Sequence, residues 1–215
     1  MNRKASLSYI KIVITIISIL ILYFFIFSSQ AQEDLISKLE LAYKNIYDAT
    51  GSFVQTSYIK ELAKTQKFSG KFFLKKDRLR WEYFGEFPQI IYINKDTLII
   101  YDKHLKQAIQ TKFSSEKYGQ LPLALLSKMI VFEKDFEITK KSENDLMFIP
   151  KSKMGNIKKI EITVHEENFP IKMIKVTDSN DNTIKIEFST VKINTNLDDS
   201  IFNFVPKKDD TVLIY

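Results

Sequence analysis

Two short runs decide the fold of this chain: Phe68-Ser69-Gly70-Lys71-Phe72-Phe73-Leu74-Lys75 and Leu79-Arg80-Trp81-Glu82-Tyr83. In the second run apolar or aromatic residues alternate with charged ones, and in the first run they alternate with polar ones apart from Phe73. A period of two is typical of a β-strand with one face in the core and the other in water. The two runs therefore predict neighbouring strands that share an apolar, aromatic face.

The same period of two recurs along most of the chain, interrupted by turn-forming residues such as those at 94–96, 142–145 and 178–181. Short connections make neighbouring strands antiparallel. We therefore expect a mainly β fold, one domain over residues 32–215, with a single meandering sheet that curls on itself. The eleven predicted strands are 51–59, 65–75, 78–83, 89–94, 97–102, 106–111, 136–141, 145–150, 158–164, 171–177 and 183–192.

Two segments have the spacing of helices instead. Apolar residues recur at helical intervals from Glu33 to Ala49, and Gly51 follows them as a residue just past a helix often does. The second segment, Ser114 to Met129, lies between the sixth and seventh strands and contains Pro122-Leu123-Ala124-Leu125-Leu126. Proline is well placed in a first helical turn, so we expect an apolar helix that rests on the inside of the curled sheet.

The apolar face of the sheet has two interpretations. Ordinary core packing is one. However, about eleven strands make a wide barrel, and an aromatic concave sheet under two helices is also how an apolar ligand site is built. Periodicity does not choose between a filled core and a cavity.

The first 31 residues resemble an export signal. Basic residues at the start precede 16 uncharged residues, Ile12 to Phe27, and small residues follow at Ser29 and Ala31. This order predicts a secretory signal at residues 1–31, cut between Ala31 and Gln32. The alternative is an uncleaved membrane anchor, but a 16-residue helix spans only about 24 Å of a hydrocarbon core of about 30 Å.

Composition excludes several classes of protein. Without Cys, the chain has no disulfide, no thiolate metal site, no cysteine nucleophile and no lipid-modified N-terminal Cys. Lys and Arg number 32 against 26 Asp and Glu, and three of the basic residues lie in the first 31 positions. Because the remaining excess is small and forms no basic block, we expect no nucleic-acid partner.

Motifs of catalysis are absent from the sequence. His104 and His165, the only histidines, have no Ser or Asp partner at a recognisable spacing, and no phosphate-binding, nucleophile-elbow or zinc-protease motif occurs. We therefore expect no enzyme, no metal site and no cofactor.

Several runs, in their order and spacing, resemble the LolA family of periplasmic outer-membrane lipoprotein carriers. The resemblance covers essentially all of the chain after residue 31. The runs are Gly51-Ser52-Phe53-Val54-Gln55-Thr56, Gly70-Lys71-Phe72-Phe73-Leu74-Lys75-Lys76, Arg78-Leu79-Arg80-Trp81-Glu82-Tyr83, Tyr101-Asp102-Lys103-His104-Leu105-Lys106-Gln107, Pro122-Leu123-Ala124-Leu125-Leu126 and Phe202-Asn203-Phe204-Val205-Pro206.

The resemblance implies an unclosed, half-open β-barrel with a helical lid over a hydrophobic cavity. Lys76 stands where the best-known members have an Arg that holds the lid closed, and Lys lacks the guanidinium fork of Arg. Asp77 replaces the Pro-Gly that often follows that Arg. By position, the cavity is implied to be lined by Phe72, Leu74, Leu79, Trp81 and Tyr83, and the lid to contain Pro122, Leu123, Ala124, Leu125 and Leu126.

The resemblance also implies a function and its partners. A carrier of this kind is a periplasmic chaperone that receives acylated lipoproteins from an inner-membrane lipoprotein-releasing ABC transporter and hands them to an outer-membrane lipoprotein receptor. We expect a monomer. The alternatives are another lipid-binding envelope protein of the same half-barrel, tethered to the inner membrane by an uncleaved signal, and a structural barrel with a filled core.

Overall fold

A computed structural model describes residues 35–113 and 132–215 of the chain. The chain divides into two compact units, Met1–Lys38 and Leu39–Tyr215. The first described element is a helix, α1, at residues 35–44. Residues 35–38 are the only described part of the first unit, and the second unit contains the rest of the helix and all of the described strands.

The second unit is dominated by one sheet of twelve strands. All eleven predicted strands are present, with bounds that differ from the prediction by at most three residues. A short helix, α2 (Phe132–Asp135), precedes β7, and a 3₁₀ helix (Asp199–Phe202) follows β11. The strands are β1 (Asp48–Ile59), β2 (Lys64–Lys75), β3 (Arg78–Tyr83), β4 (Gln89–Asn94), β5 (Thr97–Asp102), β6 (Gln107–Lys112), β7 (Phe136–Lys140), β8 (Asp145–Pro150), β9 (Ile157–Val164), β10 (Ile171–Asp178), β11 (Thr183–Ile193) and β12 (Thr211–Ile214).

The order of the strands corrects the prediction of a single meander. The sheet has the order β12-β6-β5-β4-β3-β2-β1-β11-β10-β9-β8-β7. It consists of one antiparallel meander, β1 to β6, and a second, β7 to β11, joined where β11 pairs with β1. Among the described strands, β7 and β12 are the two ends of this order, so the sheet is unclosed as predicted. Period-two patterns locate strands, but they do not say which distant strands become neighbours.

The twelfth strand was not predicted. β12 lies near the C-terminus and pairs in parallel with β6, with Thr211 opposite Gln107. Two neighbouring strands can be parallel only if the chain crosses the sheet between them. Here the chain leaves β11, which lies on the other side of β1 from β6, and passes back across the sheet to reach β12. The prediction that all neighbouring strands are antiparallel therefore fails at this edge alone among the described pairs.

The first helix is shorter at its C-terminal end than predicted. Helical residues stop at 44, and residues 48–49, assigned to the helix from their spacing, begin β1. Ala49 is fully buried and pairs with Leu74 on one side and Ile193 on the other. Hydrogen bonding to strands on both sides outweighs the local helical pattern, as tertiary context often does.

A buried carboxylate ties the start of β1 to the segment after β11. Asp48, only 3% exposed, accepts hydrogen bonds from the Thr195 N–H at 2.7 Å, the Thr195 hydroxyl at 2.9 Å and the Leu197 N–H at 3.1 Å. Burial alone would raise the pKa of Asp48, but these hydrogen bonds outweigh it and hold the pKa below its usual value. The 194–197 segment is therefore fixed where it turns toward the outer face of β3 and β4.

The C-terminal segment covers part of the outer face of the sheet. Asp199 forms ion pairs with Lys75 at 2.7 Å and Arg78 at 2.8 Å, and the Ile201 carbonyl accepts from the Arg80 guanidinium at 3.1 Å. Phe202 is almost completely buried. Strand β4 is consequently buried on both faces, which explains its uninterrupted apolar run, 90–93.

Three predictions concern residues outside those that the structure describes: the export signal at 1–31, its cleavage between Ala31 and Gln32, and the lid helix with Pro122, Leu123, Ala124, Leu125 and Leu126. Within the described ranges, no helix is long and apolar enough to cross a membrane.

Candidate functional site

The inner face of the sheet carries a cluster of aromatic rings, which we call the aromatic face: Phe53, Phe72, Trp81 and Phe188. The rings of Phe53 and Trp81 stack, with centroids 3.8 Å apart and planes inclined by 27°. Phe188 meets Phe72 edge to face at 5.3 Å. Such pairs contribute about 0.5–1.5 kcal/mol each beyond the area they bury. The cluster is therefore both apolar and well ordered.

Some of these rings lie closer together than the strands that carry them. Neighbouring strands are about 4.8 Å apart, and β3 lies three strands from β11 in the sheet order. Even so, the ring centroids of Trp81 and Phe188 are only 6.4 Å apart. Side chains from non-adjacent strands converge in this way on the concave side of a curled sheet.

Two glycines make room for the convergence. A methyl group at Gly70 would lie 2.6 Å from the Phe53 ring and would also overlap the backbone carbonyl of Glu82. A methyl group at Gly51 would lie 2.9 Å from the Phe72 ring. Heavy side-chain atoms do not approach this closely, so both strands require glycine where an aromatic ring crosses them.

The five residues predicted for a cavity lie on one face of β2 and β3. Phe72 and Trp81 stand opposite each other in the register, as do Leu74 and Leu79. These four side chains are at most 5% exposed. Alternation thus placed them together, whereas their contact with an acyl chain stays a prediction.

Tyr83, the fifth predicted residue, lies at the open end of the aromatic face. Its ring meets Phe53 edge to face at 5.5 Å, and its hydroxyl donates to the Gln55 side-chain carbonyl at 2.8 Å. Burial raises the pKa of Tyr83 to about 12. The hydroxyl therefore remains protonated and able to donate at any physiological pH.

Sequence reasoning missed half of the aromatic face and its neighbours. Phe188 stands between polar residues as Trp81 does, and Phe53 stands between Ser52 and Val54, but both join Trp81 only because β1 lies beside β11. Phe169 comes from the β9–β10 connection, is 2% exposed, and contacts Phe72 at 5.9 Å. Tyr43 of α1 contacts Phe169 at 6.0 Å. No local pattern indicates that a loop ring inserts here.

One polar atom beside these rings lacks a partner. Among the described residues, the buried Tyr43 hydroxyl has no hydrogen-bond partner. An unsatisfied buried donor costs about 1–3 kcal/mol. A cavity of about 260 Å³ adjoins this region, lined by Phe169 and Phe188 and by polar residues that include His165. The end of the aromatic face near the β9–β10 connection is thus less completely packed than its centre.

Lys76, the predicted latch residue, lies in the turn between β2 and β3. It is exposed and adopts a positive φ of 50°. The basic residues on either side, Lys75 and Arg78, are engaged by Asp199. The lid that Lys76 was predicted to hold lies outside the described residues, so its role as a latch stays a prediction.

The described residues show no arrangement typical of catalysis. His104 lies in the β5–β6 turn, and His165 is 3.5 Å from the carboxylate of exposed Glu167. Within the described ranges, no group of three or more His, Asp or Glu side chains could hold a metal ion. The aromatic face itself consists of apolar and aromatic side chains.

Comparison with a solved structure supports the fold. A protein from Thermus thermophilus, described as an uncharacterized conserved protein, superimposes with a TM-score of 0.53. The superposition covers 85% of this chain and 98% of that one at 11% identity. At this identity the likeness shows the fold alone.

Sequence relatives carry one recurrent name. An outer-membrane lipoprotein carrier protein from Francisella tularensis subsp. novicida is 29% identical over 204 residues, covering 91% of this chain and 96% of the relative. The protein of the same name from Cupriavidus pinatubonensis is 29% identical over 176 residues, covering 78% and 82%. Residues 44–205, which include the whole aromatic face, match the family described as outer membrane lipoprotein carrier protein LolA. The chain belongs to the LolA family.

Proposed function

We propose that this chain is a periplasmic carrier that holds the acyl chains of lipoproteins against the aromatic face. In this proposal it receives them from the inner-membrane lipoprotein-releasing ABC transporter and delivers them to an outer-membrane receptor. The observation that carries the proposal is the convergence of Phe53, Trp81 and Phe188 on the concave side of an unclosed sheet. Family membership supports lipoproteins as the cargo.

The energetics favour such a role. Each methylene group removed from water gains about 0.8 kcal/mol, so a dozen buried methylenes contribute about 10 kcal/mol. Acyl chains that left a bilayer without shelter would lose that amount, and transfer through water would be slow. An apolar face that replaces the bilayer removes most of this barrier. Because the ligand only exchanges one apolar surface for another, the transfer is reversible and needs no chemistry in the carrier.

The single tryptophan makes the proposal directly testable, because Trp81 lies in the aromatic face. A synthetic triacylated lipopeptide with dibrominated acyl chains is added to the chain purified after expression of its full sequence. Bromine quenches indole fluorescence only near contact. We expect strong quenching by the brominated lipopeptide and little change with the unbrominated one.

A matched variant moves the reporter to the other face. Trp81→Phe combined with Tyr92→Trp places the only indole on the outer face, where Tyr92 contacts Phe204. This variant should bind the lipopeptide, measured by co-elution in gel filtration, without bromine quenching. Quenching at position 92 but not at position 81, or no binding at all, would contradict the proposal. Purification of phospholipid rather than lipoprotein with the chain would favour the tethered lipid-binding alternative.

A further inference from the structure

The first residues of β2 form an unpaired edge, although β2 is a central strand in the sheet order. Strand β3 pairs with Gly70–Lys75 only, although β2 begins at Lys64. On its other side, the whole of β2 pairs with β1 up to Ile59 opposite Lys64. The residues 64–68 therefore extend past the end of β3, and no described strand pairs with that side of them. We call this stretch the uncovered edge.

The register identifies which backbone groups are free on the uncovered edge. The Ser69 carbonyl accepts from the Phe84 N–H at 2.9 Å, so Ser69 directs its polar groups toward β3. In an antiparallel ladder, every second residue faces the same neighbour. The N–H and C=O groups of Lys67 and Thr65 point the same way, and no described residue of β3 pairs with them. Such a row is a template for another strand.

The side chains along the uncovered edge indicate the chemistry of that strand. Lys67 is exposed and forms no ion pair with a described carboxylate, whereas Lys64 lies on the opposite side of the sheet, with Phe68. Partly exposed aromatic rings adjoin the edge, with Phe68 at 36% and Phe84 at 44% exposure. Opposite charges on facing strands are favourable and like charges are not. A second copy would bring a second Lys67 to the same side, whereas an acidic strand would neutralise the lysine.

We propose that the uncovered edge binds an extended segment of a partner protein in which acidic residues alternate with apolar ones. The segment adds to β2 as an antiparallel strand, hydrogen-bonded to Thr65 and Lys67. Its acidic residues face Lys67, and its apolar residues face Phe68 on the opposite side of the sheet. This is strand addition, in which backbone hydrogen bonds give affinity and side chains give specificity. Acyl binding is not needed for this contact, so its test is independent of the proposed function.

The test uses an unacylated probe, an eight-residue capped peptide of alternating Glu and Val, with a Lys–Val peptide as its counterpart. Binding to the full chain is measured by fluorescence anisotropy, and backbone protection by hydrogen exchange. We expect saturable binding of the Glu–Val peptide, with slower exchange at the Thr65 and Lys67 amides. No saturation up to the millimolar range, or binding without protection of these two amides, would overturn strand addition.

A charge-reversal variant tests specificity. Lys67→Glu should weaken binding of the Glu–Val peptide about tenfold and favour the Lys–Val peptide. The control, Lys172→Glu, makes the same change in net charge at an exposed lysine of β10 on the other half of the sheet. If both variants weaken binding equally, the attraction comes from net charge alone and the assignment of the edge is wrong.

Discussion

Replacing Asp48 with Asn tests the buried carboxylate that fixes the segment after β11. In the folded chain, one carboxylate oxygen accepts from the Thr195 N–H and hydroxyl, and the other accepts from the Leu197 N–H. Asparagine keeps one acceptor oxygen but presents an NH₂ group as the second atom. With its oxygen toward Thr195, that NH₂ faces the Leu197 N–H, and two donors then point at each other.

The expected loss follows from these contacts. Hydrogen bonds to a charged acceptor contribute about 1.5–3 kcal/mol each, and an orphaned buried donor adds a penalty of similar size. Allowing for partial relaxation and for water reaching the Leu197 N–H, we expect Asp48→Asn to lower the free energy of unfolding by about 2–3 kcal/mol at pH 7. The exposed turn residue Asp77 is the control, because Asp77→Asn should change stability by less than about 0.5 kcal/mol.

The shifted pKa of Asp48 also predicts how the stability difference between the two chains changes with pH. The pKa of Asp48 is lower in the folded chain than in the unfolded chain, where it is about 3.9. Its ionised form therefore stabilises the fold above about pH 4, and this contribution is lost as the pH falls through the folded-state pKa. Urea unfolding of both chains at pH 7, 5 and 3, followed by Trp81 fluorescence, should show a gap that narrows in acid. Equal stabilities at pH 7, or a gap that widens toward pH 3, would refute the reasoning.

Three further substitutions test other contacts. Gly70→Ala should lower the free energy of unfolding in urea by about 1–3 kcal/mol, because the added methyl group overlaps the Glu82 backbone carbonyl and the Phe53 ring; full stability would mean that both the strand and the ring have room to move. Tyr83→Phe leaves the Gln55 carbonyl without its donor and should cost about 1 kcal/mol in the same assay, whereas an unchanged midpoint would show that water replaces the hydroxyl. Asp199→Asn removes two exposed ion pairs, so it should lower Tm slightly in dilute buffer and not in about 1 M salt. A decrease in Tm that persists in salt would contradict a purely ionic role.

Most strands could be predicted because alternation is a local property. The bounds of β3, β4 and β5 agree with the prediction at both ends, since each is an alternating or apolar run between turn residues. The failures lie where a distant partner decides the structure. Residues 48–49 lie within the predicted helix and become a strand because β2 pairs with both and β11 with Ala49. β12 forms only because β6 offers it a free edge.

The candidate site was predictable to the same extent. Phe72 and Trp81 could be assigned to one face, because each follows the period of its own strand and the two strands are linked by a short turn. Phe188 could not be added to them, because nothing in β11 indicates that its neighbour is β1. Phe169 belongs to a loop and has no period at all. The local pattern therefore predicts which side chains of a strand share a face, whereas the strand order determines which of them meet in the aromatic face.

Each face of the sheet is covered by a different part of the chain. On the outer face of β4, Tyr92 is 7% exposed and lies against Phe204, so the apolar surface there is used within the chain itself. The ion pairs of Asp199 and the hydrogen bonds of Asp48 hold the covering segment in place. On the inner face, Phe53, Phe72 and Trp81 are at most 1% exposed, so side chains of the protein itself cover them as well. A cavity of about 260 Å³ lies beside Phe169 and Phe188, and one of about 470 Å³ lies beside Tyr92 and Phe204 on the outer face. Because burial is similar on both faces, an indole at position 81 compared with one at position 92 decides which face an acyl chain contacts.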